Sequence, residues 1–91
     1  MCYIVVYHKK VITEDLEKIS QTQKIRIKKS IEEKISIHPD IFSKPLRKPL
    51  GTYRRARVGD YRIVFKVVRK TIKILAIIHR SKVYKEIQKR L

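Results

Sequence analysis

The 91-residue chain reads as an α+β domain in the order β-α-α-β-β-β-α, a small, mostly antiparallel sheet with two N-terminal helices packed on one face and a C-terminal helix. Three observations predict it. A β-branched and aromatic run, YIVVY, opens the chain at residues 3–7. Isoleucines then recur at helical spacing, and from Tyr53 onward the pattern changes to strand-length runs broken by two-residue turns. One core suffices at this length, so residues 1–91 are expected to form a single domain.

Thr13, followed by Glu14, Asp15 and Leu16, is expected to cap the first helix, with acids in the turn where the helix dipole favours them; that helix runs to about Ser20. A second helix starts at Thr22. Ile27, Ile31 and Ile35 form its apolar stripe, Lys24, Arg26, Lys28, Lys29 and Lys34 fill other faces, and Pro39 ends it. Residues 44–51, KPLRKPLG, read as an irregular basic connector, because two prolines remove donors that a helix or central strand needs. Strands follow at residues 53–58, 61–68 and 71–78. Gly59 at the first position of the Gly59-Asp60 turn suits a type II′ hairpin, and Arg69-Lys70 forms the second turn. Ser81 is expected to cap a last helix carrying Val83, Ile87 and Leu91 on one stripe.

Charge bounds the partners. Lys and Arg number 24 against 8 Asp and Glu, a formal net charge of +16. Solubility asks for only about 2–8 charges, so self-repulsion on this scale points to a polyanionic partner: nucleic acid, an anionic surface or an acidic protein. Cys2 is the single cysteine, which excludes an intramolecular disulfide, and it is expected to be a buried strand residue. The start of the chain has no signal-peptide pattern, so a cytoplasmic protein is expected. Apolar runs such as residues 74–78 fall far short of the roughly 20 residues that span a bilayer.

The first two-residue turn sets a register: Val58 opposite Tyr61, Arg57 opposite Arg62, Ala56 opposite Ile63, Arg55 opposite Val64. One face then collects Ala56, Val58, Tyr61, Ile63, Phe65 and Val67, and it must lie under the helices. The other collects Tyr53, Arg55, Arg57, Arg62, Val64 and Lys66. The same counting from the second turn adds Lys73, Leu75, Ile77 and His79 to this cationic face. Like charges directly across an antiparallel pair destabilise it, so Arg57 facing Arg62 beside Arg55 suggests an anion site, the alternative being a splayed, solvated cluster. Arginine stays protonated and offers a fork that fits phosphate. Tyr53 and Tyr84 are candidates for stacking on bases.

The segment GTYRRARVGDYRIVF at residues 51–65 resembles the central hairpin of the RelE/ParE toxin superfamily, and IIHRSKVY at residues 77–84 resembles its closing motif. The likeness extends over nearly the whole chain. In the RelE branch it implies a toxin of a type II toxin–antitoxin pair that cleaves mRNA in the ribosomal A site, with the catalytic roles falling on Arg62, on Arg55 and Arg57, on Arg80, and on Tyr84. RelE-like enzymes can carry lysines where this chain has Arg55 and Arg57. The implied reaction is attack of a ribose 2′-OH on the adjacent phosphate. Arg62 and Arg80 suit charge stabilisation, and Arg55 and Arg57 suit phosphate positioning. Arginine is a poor proton acceptor, which leaves Tyr84, His79 or the substrate and ribosome to handle protons.

Lys44, Arg47, Lys48, Tyr53, Lys66, Lys73 and His79 complete the expected RNA-binding set. His79 is the best histidine candidate because it alternates onto the cationic face, whereas His8 and His38 fall in connecting positions. One cysteine and scattered histidines offer no metal-ligand spacing, and two glycines offer no phosphate loop, so no metal and no small-molecule cofactor are expected. The expected partners are mRNA, the ribosome and an acidic antitoxin. Two alternatives remain: a ParE-like inhibitor of DNA gyrase on the same fold, and a module that docks on RNA or the ribosome without cutting.

Overall fold

The computed structural model describes residues 2–91. Strand β1 (Ile4–Tyr7) is followed by two short helical turns, Val11–Asp15 and Leu16–Lys18, and then by α1 (Gln21–Ser30), which continues as a wider turn over Ile31–Ile35. Next come β2 (Lys44–Pro45), β3 (Arg54–Val58), β4 (Tyr61–Val68), β5 (Thr71–His79) and α2 (Val83–Arg90). The five strands lie in the order β1-β5-β4-β3-β2, with β1 parallel to β5 and the other neighbours antiparallel. The α+β class and the expected helix and strand order hold, with one added strand. Lys44–Pro45 pairs with Arg54 and Arg55 inside the stretch expected to be irregular, and it does so at the sheet edge, where a proline's missing donor costs nothing.

The helix starts differ from expectation. His8 Nδ1 accepts from the Lys10 N–H, while Thr13 Oγ1 donates back to the Lys9 carbonyl, so Thr13 lies within the first helical segment rather than capping it. Ser20, not Thr22, caps α1 by accepting from the Gln23 N–H. His79 Nδ1, not Ser81, takes the cap before the short turn Arg80–Lys82 that leads into α2. Cys2 is exposed, and it precedes β1 instead of being buried in it.

The first hairpin has the expected register at all four pairs, and Gly59 adopts φ 60° as the first position of its turn requires. The second has the expected turn, with Val68 opposite Thr71, but it carries a bulge: Phe65 faces Ile74 and Val64 faces Ala76, leaving Leu75 as the extra residue. A one-residue insertion inverts every side chain beyond it. Ile77 therefore pairs with Ile63, and His79 with Tyr61, on the helix-covered face, while Ile78 sits opposite Arg62. Ile77 and His79 were both expected on the cationic face, and both are moved off it.

Two cores result. Val11, Ile19, Ile27, Ile31 and Ile35 pack on Ala56, Val58, Ile63, Phe65, Ile72, Ile74 and Ile77 on one side of the sheet. On the other side Val83 and Ile87 of α2 and Leu46 of the connector cover Val64, Leu75, Ala76 and Ile78. Val67 and Leu91, expected on apolar faces, lie beyond both cores and are exposed. The opposite face is thus not one cationic surface. Part of it is a second core, and the arginines sit where that core stops.

The bulge also sets where Asp15 and Arg90 go. Parallel pairing with β1 ends at Ile74, and the next outward groups of β5 are taken by side chains: Asp15 Oδ2 accepts from the Ile77 N–H at 2.9 Å, and Arg90 Nη1 donates to the Leu75 carbonyl at 3.0 Å. The two side chains join in a fork of 2.6 and 2.7 Å, 4% and 2% exposed. Asp15 in the first helical segment thereby anchors the end of α2 to the sheet.

Candidate nucleic-acid interface

Arg55 and Arg57 on β3 and Arg62 on β4 project on one side of the hairpin because their register positions alternate with the buried Ala56, Val58 and Ile63. With Ile41, Phe42, Ser43 and Lys44 they line a cleft of about 450 Å³. Arg62 Nη1 donates to the Gly59 carbonyl at 3.2 Å and to the Tyr61 carbonyl at 3.0 Å, so the turn itself orients this guanidinium. Arg55 Nη1 donates to the Pro45 carbonyl at 3.2 Å. The Arg80 N–H donates to the Asp60 carbonyl at 2.8 Å, which ties the start of the last helical segment to the same turn.

Electrostatics single out Arg62. Partial burial, and then the charges of Arg57, Arg80 and Arg55, push its guanidinium below the ordinary arginine range, and Asp60 offsets only part of this. Three cations thus act on Arg62 with no equal counter-charge, and an anion placed there relieves all of the repulsions together.

Tyr84 stands beside this cluster. Its hydroxyl accepts from the Arg47 N–H at 3.1 Å, and the Arg47 guanidinium carbon lies 3.9 Å from its ring centroid. That backbone hydrogen bond, helped by the charges of Arg47 and Arg55, lowers the phenol below the ordinary tyrosine range despite the opposing effect of burial. Tyr84 keeps its own proton to donate, and it is more acidic than a free tyrosine.

The remaining expected RNA-binding residues divide among separate places. Lys44 lines the arginine cleft. Arg47 and Lys48 line a groove of about 410 Å³ with Tyr84, Leu50 and Gln88. Tyr53, with Lys66 Nζ 5.4 Å from its ring centroid, lines a third hollow with Lys66, Lys73, Val6 and Tyr7, away from the arginines. His79 stands with its ring 6.2 Å from that of Tyr61 in an edge contact, and its Nδ1 meets Ser81 Oγ at 2.8 Å. It is engaged in local contacts on the face opposite Arg62. Among the described residues no cluster of His, Cys, Asp and Glu has the arrangement of a metal site, and no helix is long and apolar enough to cross a membrane.

Counting along the strands misses the loop that walls the cleft. Ile41 and Phe42 follow Pro39 in a segment without periodicity, and only their apolar character between proline and lysine sets them apart. Asp15 and Arg90 are likewise unreadable, being 75 residues apart with no local pattern to join them.

Residues 3–84 match the family model described as the ParE toxin of the type II toxin–antitoxin system, parDE. The toxin–antitoxin complex RelBE2 from Mycobacterium tuberculosis is similar at 27% identity and a TM-score of 0.80, over 88% of this chain and 100% of that one. The RelB–RelE antitoxin–toxin complex from Methanococcus jannaschii is similar at 29% identity and a TM-score of 0.69, over 89% and 96%. The isolated E. coli RelE toxin, at 23% identity and a TM-score of 0.69 over 97% of each chain, shares the fold. No curated protein sequence matches the chain.

Proposed function

We propose that this chain, which belongs to the ParE toxin family of type II toxin–antitoxin systems, is a ribosome-dependent endoribonuclease that cuts mRNA in the ribosomal A site. One observation carries the reading: the charges of Arg55, Arg57 and Arg80 converge on Arg62 in the lining of a cleft, and Arg55 also acts on an acidified tyrosine.

The ribose 2′-oxygen attacks the adjacent phosphorus while the 5′-oxygen of the next nucleotide leaves, giving a 2′,3′-cyclic phosphate and a 5′-hydroxyl. The phosphorane between them carries added negative charge. Arg62 and Arg80 stabilise that charge and Arg55 and Arg57 hold the phosphate, each doing more as the charge grows. Tyr84 delivers its proton to the departing 5′-oxygen. The 2′-OH proton passes to water or to a group of the ribosome, because the cleft is lined by arginines, Lys44, Ser43 and apolar side chains and holds no base of its own. An enzyme poor in base gains most from a substrate already bent toward in-line attack, and the ribosome supplies such a substrate. Dependence on the ribosome is then a consequence of the site's chemistry. The cytoplasm is the compartment this activity needs. An acidic antitoxin is the expected partner, since electrostatic complementarity to a +16 surface speeds association, and two of the similar structures are toxin–antitoxin complexes.

The family model's ParE description favours one other reading, inhibition of DNA gyrase by protein contact without cutting. Primer extension on message in a purified translation system separates the two. Cuts that appear only on ribosome-bound message, and that disappear in Arg62→Ala, Arg80→Ala and Tyr84→Phe, are expected. Uncut message combined with inhibited gyrase supercoiling overturns the nuclease and leaves the gyrase reading.

A further inference from the structure

We propose that Phe42, flanked by Ile41, is a nucleobase-stacking wall for the arginine cleft: a single-stranded RNA nucleotide whose phosphate lies against Arg55, Arg57 and Arg62 sets its base on the Phe42 ring. This rests on the reading of the cleft as an RNA site and adds to it the subsite that holds the base.

Ile41 is 67% exposed and Phe42 42% exposed. Isolated exposed apolar residues are ordinary on protein surfaces. These two are distinguished by position, because both line the same cleft as the three arginines. They are also held in place. Arg54, next to Arg55 in the chain, spends its guanidinium on this loop: Nε donates to Ser43 Oγ at 2.7 Å, and Nη2 donates to the Ser43 and Asp40 carbonyls at 3.1 and 3.3 Å. Ser43 Oγ donates in turn to the Pro39 carbonyl, and the Phe42 N–H donates to the His38 carbonyl at 3.2 Å. Lys34 Nζ lies over the Phe42 ring, 5.8 Å from its centroid. An apolar wall that is both exposed and fixed is preorganised for a ligand, and it needs no ordering when the ligand arrives.

The cleft asks two things of its ligand, an anion for the guanidinium groups and a flat apolar face for Phe42. A nucleotide offers both within one repeating unit. Every base has such a face, so this wall grips without reading sequence, and one lost stack weakens binding by about 5- to 150-fold.

The chain contains no tryptophan, so Phe42→Trp introduces a single reporter. The probes are a short single-stranded oligoribonucleotide, 2′-O-methylated so that it is not cut, and an abasic oligomer with the same phosphate count. Quenching of the introduced tryptophan's emission by the first and not by the second is expected, and so is a Phe42→Ala variant that binds the first about 5- to 150-fold more weakly and the second unchanged. Equal quenching by both overturns the proposal. Parent-like RNA binding by Phe42→Ala also overturns it and leaves the wall to a protein partner. The two readings fail separately. Message cut equally by parent and Phe42→Ala removes the stacking wall and keeps the nuclease, whereas base-dependent quenching without any cutting removes the nuclease and keeps the wall.

Discussion

Asp15→Ala is expected to be as damaging as truncating a fully buried core side chain such as Phe65, by a calculable amount. The side chains of Asp15 and Arg90 are 4% and 2% exposed and joined by a two-bond fork, and Asp15 also accepts from the Ile77 N–H. Truncating Asp15 leaves a buried guanidinium with its main counter-charge gone and frees a backbone N–H at the bulge. Removing one member of a buried pair costs about 3–5 kcal/mol, against a whole-domain stability of roughly 5–15 kcal/mol. Glu86 Oε2, 4.0 Å from Arg90 Nη2, recovers only part of this because its side chain is more open to water.

Urea unfolding of the parent, Asp15→Ala, Arg90→Met and the double variant measures the pair as a coupling energy. Asp15→Ala should lose about 3–5 kcal/mol, and the double variant should recover much of that, because an apolar side chain is tolerated where an orphaned charge is not. A loss below about 1 kcal/mol would place the pair with ordinary surface ion pairs and refute its role as the anchor of α2. A folded Asp15→Ala protein should fray α2 from its C-terminal end, while the buried Val83 and Ile87 keep Tyr84 against Arg47.

Two further predictions concern the arginine cleft and two tyrosines outside it. Arg57→Ala removes a cation directly opposite Arg62, so it should raise the urea midpoint slightly, by at most about 0.2–1 kcal/mol in stability, while making the salt dependence of single-stranded RNA binding shallower by about 0.7 in log–log slope. In a spectrophotometric titration, the parent-minus-Tyr84→Phe difference should show a phenol ionising below the ordinary tyrosine range, where the Arg47 backbone hydrogen bond puts it, and Tyr7 should ionise above that range, raised by burial and then by Glu32. The folded site favours the Tyr84 phenolate, so its stabilising contribution is full above the ordinary tyrosine range and is lost as pH falls through the lowered value, whereas its service as a proton donor in cleavage declines as pH rises through that same value.

Strand existence and the first hairpin's register were legible because a Gly-Asp turn between two runs of alternating residues leaves one pairing that buries Ala56, Val58 and Ile63 together. Helix boundaries were less so. Ser, Thr and His near a helix start all accept from the backbone, and which one does is decided by the approach of the preceding chain, so His8, Ser20 and His79 displaced Thr13, Thr22 and Ser81. The bulge at Leu75 left no local mark, since residues 74–78 are apolar on both sides and either parity reads as a strand. Its evidence lies in Asp15 and Arg90, which supply the acceptor and donor that the bulged strand needs from far along the chain.

The bulge shapes the candidate site as well as the core. Without it, Ile77 would face Arg62 and His79 would join the cationic face; with it, Ala76 and Ile78 occupy that face and give α2 an apolar bed beside the arginines. Tyr84, carried on α2, then falls within reach of Arg47 and Arg55, and Arg80 lies where its charge bears on Arg62. His79 thus lies on the face away from the arginines, and Tyr84 lies beside them. In the proposed cleavage, proton delivery falls to a phenol acidified by Arg47 and Arg55 rather than to an imidazole, while the anion is assigned to Arg57 and Arg62, which oppose one another across the hairpin, together with Arg55.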